Sequence, residues 1–288
     1  MNKISTTAEP ENERSQSRPR DGSGTIQAWS DEHPAFHAHR RFGVLSQLRS
    51  YCFFDPLIWI YTLVLGTVSL ISSLFDRNGR VQHNLARAWS WLIMKTIFSP
   101  VTVTGNTAAL SPSAYGKPRV FAVNHASALD IPILYVHLPF QFRIVFKSEL
   151  LSYPFIGWHL KRSGQVCINQ KHPTTSVGAI KSALRSLRSR MPLVIFPEGG
   201  RTSDGNIQPF LPGAFFLAIK AQADIVPIAL VDTFDLLPMN TYHIRSQPLE
   251  MRVGAPIVTA GLKVTDTDAV STQVKSAIEA LHSAPRTA

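Results

Sequence analysis

Phe121-Ala122-Val123-Asn124-His125-Ala126-Ser127-Ala128-Leu129-Asp130 is the stretch on which the reading of this 288-residue chain turns. The run Arg119 to Val123 is rich in strand formers and stops at Asn124-His125. A helical pattern follows from Ser127 to about His137, with an acid five residues beyond the histidine. The stretch therefore reads as a strand that delivers a histidine to the rim of a sheet, with Asp130 in the first turn of the next helix. Five residues on an ideal helix rotate about 140°, so the two side chains cannot share a face inside it. They meet only if His125 stands ahead of the helix and folds back over its start. The carboxylate then takes one imidazole N–H and fixes the tautomer, leaving the other nitrogen free to accept a proton. That pair is a general base with its orienting acid. The same residues also suit a plain Asn-His turn followed by a carboxylate that serves the helix dipole.

A second stretch repeats this logic. Leu193-Val194-Ile195-Phe196 reads as a buried strand, and Pro197-Glu198-Gly199-Gly200-Arg201 as the glycine-rich turn that ends it. Adjacent glycines let backbone N–H groups approach an anion with no Cβ in the way, and an arginine grips a phosphate through two parallel hydrogen bonds. An anionic head group fits there. An ordinary glycine turn with an exposed ion pair is the other reading. Glu198 is a poor neighbour for a phosphate, so it is expected to position Arg201 or to accept from a substrate hydroxyl.

Working outward, further strands are expected at Val101–Gly105, Phe142–Phe146, Gln165–Ile168, Ile225–Leu230 and Leu249–Val253. Helices are expected at Pro173–Arg190, Ala214–Ala223 and Thr267–His282, with a short helix or turn at Pro154–Leu160. Strands alternating with helices predict an α/β domain over residues 101–288.

The amino-terminal third is different. Residues 1–30 hold few apolar positions and read as a disordered tail without a signal-peptide pattern. From Pro56 to Phe75 no charged residue occurs, and twenty helical residues reach about 30 Å, the thickness of a bilayer core. Spanning the bilayer, dipping into one leaflet, and lying buried in a large soluble core are the three readings of that run. Leu85–Ile97 reads as the return arm of a hairpin, which makes residues 31–100 a membrane-associated helical region. Arg40, Arg41 and Arg49 before the run hold its amino terminus in the cytoplasm.

Composition narrows the partners. A net charge of +10 and a pI near 9.9 point to an anionic partner: lipid head groups, nucleic acid or an acidic carrier protein. Nine of the basic residues and a single acid fall between Gln141 and Arg190, and Lys181, Arg185 and Arg188 form one stripe of a helix. The basic residues are not interleaved with aromatic platforms, which argues against nucleic acid. Two cysteines make neither a disulfide framework nor a set of metal ligands, and suit a reducing compartment. No Gly-x-Ser-x-Gly elbow occurs, so a serine hydrolase lacks its nucleophile.

Asn124-His125-x-Ser127-x-x-Asp130, followed about 70 residues later by Phe196-Pro197-Glu198-Gly199 and then Arg201, resembles the two hallmarks of the glycerolipid acyltransferases, in the same order. Phe146-Lys147-Ser148-Glu149-Leu150, with Pro154, Gly157 and Trp158, looks like the family's intermediate block, and Val226-Pro227-Ile228 like its last. The resemblance covers roughly residues 80–260 and is strongest to the bacterial 1-acylglycerol-3-phosphate acyltransferases. It implies a mixed, mostly parallel sheet flanked by helices, preceded by a membrane-associated helical hairpin.

It also implies transfer of an acyl chain from acyl carrier protein or coenzyme A to lysophosphatidic acid, giving phosphatidic acid. His125 is then the general base and Asp130 its partner, with Lys147, Lys171, Glu198, Gly199, Gly200 and Arg201 binding substrate. The thioester is a co-substrate, and neither cofactor nor metal is implied. The expected location is the cytoplasmic (inner) membrane, catalytic domain toward the cytoplasm. Two positions depart from the family pattern. Gly200 stands where Thr or Ser is usual, and Asn169-Gln170, followed by Lys171, stand where Asp-Arg is common. These changes bear on the acceptor and leave open another lysolipid, such as a lyso-ornithine lipid. Glycerol-3-phosphate acyltransferase and a non-catalytic basic membrane protein are the other readings.

Overall fold

A computed structural model describes residues 43–76, 78–111, 118–169 and 177–286. The expected tail (1–30), Arg40, Arg41 and the first residues of the helix expected from Pro173 lie outside them. The described strands form one seven-stranded sheet in the order β1-β7-β6-β2-β5-β3-β4. They are β1 (Val101–Gly105), β2 (Arg119–Val123), β3 (Arg143–Lys147), β4 (Val166–Ile168), β5 (Leu193–Ile195), β6 (Asp224–Val231) and β7 (Leu249–Val253). Every neighbouring pair runs parallel except β6 with β7. This is the α/β arrangement that the strand–helix alternation predicts, and the mixed, mostly parallel sheet that the family resemblance implies.

Both faces are covered, which is why β5 and β6 read as unbroken apolar runs and are buried at every position. Side chains alternate between the two faces. On one, Phe121, Val123, Val194 and Ile228 meet α3 (Arg80–Thr96) and α4 (Asp130–His137) through Ile93, Ile97, Ile133 and Leu134. On the other, Val120, Ala122, Leu193 and Ile225 meet α6 (Val177–Arg188), α7 (Gly213–Ala221) and α9 (Thr267–Ser283) through Leu187, Phe215 and Val274. The connection leaving β2 crosses the first face as α4, and that leaving its neighbour β5 crosses the second as α7. A crevice opens where such connections part, at the carboxyl ends of the strands, and open α/β sheets bind ligands there.

The amino-terminal helices lie on the first face. Here α1 (Val44–Arg49), a π-helical turn (Ser50–Phe54) and α2 (Asp55–Ser72) run on as one 29-residue helix. It starts earlier and ends sooner than the charge-free run Pro56–Phe75 suggests, because Arg49 and Asp55 stay within it. The return arm, α3, also starts ahead of Leu85, directly after Gly79 at φ 66°. By length and composition the long helix suffices to cross a membrane, and only 17% of its most apolar window is buried.

Its burial is inverted. The buried residues of α2 are polar: Thr62 Oγ1 accepts from Trp89 Nε1 of α3 (3.0 Å), and Ser69 Oγ pairs with His159 Nδ1 of α5 (Ile156–Arg162) at 2.7 Å. Trp59, Ile60, Leu63, Val64 and Ile71 are each more than half exposed. A helix on a water-facing surface turns its faces the other way. The reading of this run as a helix inside a large soluble core is therefore corrected.

Candidate active site

Asn124 sits one residue beyond β2 and prolongs its pairing with β6 by side chain. Its Nδ2 donates to the Leu230 carbonyl (2.9 Å) and its Oδ1 accepts from the Leu230 N–H (2.7 Å). The chain then leaves the sheet at His125, and α4 begins only at Asp130. The expected start at Ser127 comes three residues early, because the Asp130 side chain gathers the turn before the helix. Its Oδ2 accepts from the Ala126 and Ser127 N–H groups, both at 2.9 Å, and lies 2.8 Å from His125 Nδ1. Three donors converge on one oxygen of a fully buried carboxylate, while Oδ1 is buried without a partner among the described residues.

With that carboxylate ionised, the hydrogen-bond network assigns the imidazole proton to Nδ1 and the lone pair to Nε2. No described residue bonds Nε2, and the His125 side chain is 17% exposed. The ring is held from below as well. Phe196 stacks on it at 4.1 Å between centroids and 22° between planes. Sequence reasoning passed over Phe196 in this role. The signal was its step of two from Val194, which puts it on the same face of the sheet as Val123.

The second stretch lies against the first. Glu198, expected to position Arg201 or to accept from a substrate hydroxyl, takes backbone donors on both of its oxygens. Its Oε1 accepts from the His125 N–H (2.6 Å) and its Oε2 from the Gln208 N–H (2.8 Å), with the residue 4% exposed. The Thr202 N–H donates to the His125 carbonyl at 2.9 Å. The histidine is thus clamped at both backbone ends by the turn between Glu198 and Thr202. Gly199, at φ 71°, shapes that turn.

Lys147, the last residue of β3, reaches the same turn. Its Nζ lies 3.3 Å from where a Gly200 Cβ would stand, so the missing side chain makes room for an ammonium group. Lys147 and Arg201 are half-buried, and neither cation is engaged by a hydrogen bond or ion pair among the described residues. The structure therefore brings together His125, Asp130, Glu198, Gly199, Gly200 and Lys147, with Arg201 next along the chain. Gln170 and Lys171 lie outside the described residues. Burial, and after it the Glu149 carboxylate, push the Cys167 thiol above the ordinary range. Among the described residues no cluster of three or more His, Cys, Asp or Glu is placed to hold a metal ion.

An imidazole only 17% exposed and oriented by a buried carboxylate lies beside a glycine turn with two cations that no described residue engages, an arrangement able to move a proton next to an anion. Comparison with known proteins gives the family. Residues 100–231 match the acyltransferase family model, and they form a domain of that family. A Chlamydomonas reinhardtii protein named 1-acyl-sn-glycerol-3-phosphate acyltransferase is 32% identical over 202 residues, which are 68% of this chain and 58% of that protein. One of the same name from Cocos nucifera is 28% identical over 75% of this chain and 68% of its own length. The alpha form from Bos taurus is 31% identical over 55% of this chain and 56% of its own. The chain thus spans less than three fifths of the length of two of these three relatives. In fold it is similar to the crystal structure of the 1-acyl-sn-glycerophosphate acyltransferase PlsC from Thermotoga maritima, with a TM-score of 0.68 at 20% identity. That likeness covers 85% of this chain and 99% of the other.

Proposed function

We propose that this chain acylates the free hydroxyl of lysophosphatidic acid with a thioester-borne acyl chain, giving phosphatidic acid. The observation that carries the reading is the 2.8 Å contact between His125 Nδ1 and Asp130 Oδ2, set against the turn that Lys147 overhangs. His125 Nε2 takes the hydroxyl proton as the oxygen attacks the thioester carbonyl, a service worth about 10²–10⁴ in rate. Asp130 stabilises the imidazolium that forms. The thiolate leaves, and no acyl-enzyme is needed. Lys147, Arg201 and the Gly199-Gly200 backbone hold the phosphate and so decide which hydroxyl reaches His125, with Lys171 as a further cation for the same group. Glu198 acts through His125, as a brace.

The acyl donor is carried by acyl carrier protein or coenzyme A, and no cofactor takes part. Lys181, Arg185 and Arg188 are exposed on α6, on the sheet face opposite α2 and α3. That position supports docking of an acidic carrier from the water side rather than contact with anionic lipid. The outward apolar face of α2 supports residence at a membrane, which we take to be the cytoplasmic membrane with the sheet domain on the cytoplasmic side.

Purified protein, a thioester donor and a panel of lysolipids with lipid product analysis test the reading. Phosphatidic acid from lysophosphatidic acid is the expected product. Acylation confined to acceptors without a phosphate monoester, such as a lyso-ornithine lipid, would replace it. Gly200, where the family carries a hydroxyl, keeps that second acceptor in view.

A further inference from the structure

Beyond β3 the chain repeats what α2 does, turning large apolar side chains outward. Leu150 is 40% exposed, Tyr153 57%, Ile156 40% and Trp158 50%. Phe155 turns the other way. It sits at φ 59° ahead of α5, a conformation uncommon for an aromatic residue, and its ring lies under α2. There Gly66 comes so close that a Cβ on it would stand 3.1 Å from Phe155 Cβ. One turn on, the bond between Ser69 and His159 fastens α5 to α2. Trp158 leans on the Phe155 ring at 5.3 Å between centroids. The outward faces of α2 and α5 therefore adjoin.

The order of residues along this segment is that of an interfacial element. Apolar and aromatic side chains come first, then the exposed Lys161 and Arg162, and no acid occurs from Leu150 to Arg162. Tyrosine and tryptophan favour the head-group level of a bilayer, and basic residues favour its anionic surface. Lys147 stands three residues before Leu150, a reach of at most about 10 Å. A lipid whose head rests on Lys147 thus has Leu150 within reach of its tail.

We propose that Leu150–Trp158 is a second membrane contact beside α2, along which the acyl tail of the acceptor runs while its head group is held at Lys147. The tail path rests on the acyltransferase reading above; the membrane contact does not. The occupant is the bilayer because the patch continues the outward apolar face of α2 and carries its own basic flank. Such a segment keeps a single-tailed substrate out of water all the way to the site.

Two measurements on the full chain decide it. The first compares wild type with Trp158→Phe in phosphatidylglycerol–phosphatidylethanolamine vesicles whose acyl chains are brominated. The emission owed to Trp158 should be quenched by bromine and sheltered from aqueous acrylamide. Emission untouched by bromine and open to acrylamide overturns the membrane contact and leaves the patch to a soluble partner. The second uses Ile156→Asp. It should raise KM about tenfold or more for long-chain lysophosphatidic acid in vesicles, yet leave kcat/KM within about twofold for a short-chain, water-soluble acceptor. Equal loss on both acceptors, or no loss on vesicles, overturns the tail path. A wild type that acylates neither acceptor overturns the activity, while quenching still decides the contact.

Discussion

At Asn124 a side chain does the work of a strand. Its amide replaces the next rung of the ladder between β2 and β6, and so fixes the point at which His125 leaves the sheet. Asn124→Leu leaves both polar groups of Leu230 buried without partners, at a cost of about 1–3 kcal/mol each. Thermal unfolding of the variant should show that loss, with activity falling further than stability because the histidine is no longer held. Lys147 makes the opposite kind of contribution, since no described residue engages its ammonium group. Its removal should scarcely alter stability. Lys147→Ala should raise KM for lysophosphatidic acid by about tenfold or more, the worth of a charge-assisted hydrogen bond, and leave KM for the thioester unchanged. Steady-state kinetics with each substrate varied in turn separate the two. Glu198 shows where a residue's role could not be read in advance. Its partners, His125 and Gln208, lie 73 and 10 residues away, and only the fold brings them to its two oxygens.

Among the elements, the hairpin formed by α2 and α3 depends on close approach. Gly66 lets α2 settle on Phe155, and a larger side chain there must push the two apart. Gly66→Leu should loosen α2 from the sheet domain, seen as faster proteolysis between α2 and α3 in detergent, with a stability loss of about 1–3 kcal/mol. The central strands were legible because both their faces are buried, which writes β5 and most of β2 and β6 as apolar runs. β2 and β7 fall where the sequence puts them, and β6 within one residue at each end. The orientation of α2 was not legible from its hydropathy, which says how apolar a helix is and not which side faces out. Thr62, Gly66 and Ser69, three or four residues apart, were the sign that a polar stripe faces the protein. The start of α4 was misjudged by three residues because the Asp130 side chain, rather than the backbone, organises the turn ahead of it.

For the whole molecule, the join between the hairpin and the sheet domain carries a dependence on pH. Burial holds both His83, on α3, and His159, on α5, down at about 4. Unfolded, each would titrate near 6.5, so the unfolded chain binds the extra protons between those values. Stability from the two residues is complete above about pH 6.5, falls by roughly 1 kcal/mol per pH unit for each as pH drops, and levels off below about 4. Melting in detergent at pH 7.5, 5.5 and 4.5 should trace that slope, and His83→Phe should reduce it. The proposed base is a different histidine, and a single substitution separates the two roles. Turnover of lysophosphatidic acid by His125→Ala, set beside its melting temperature and its partition into vesicles, is the most direct test of the base. The account predicts a kcat lower by about 10²–10⁴ with folding and membrane partition as in the wild type. A variant that keeps turnover within a few-fold of wild type would contradict it.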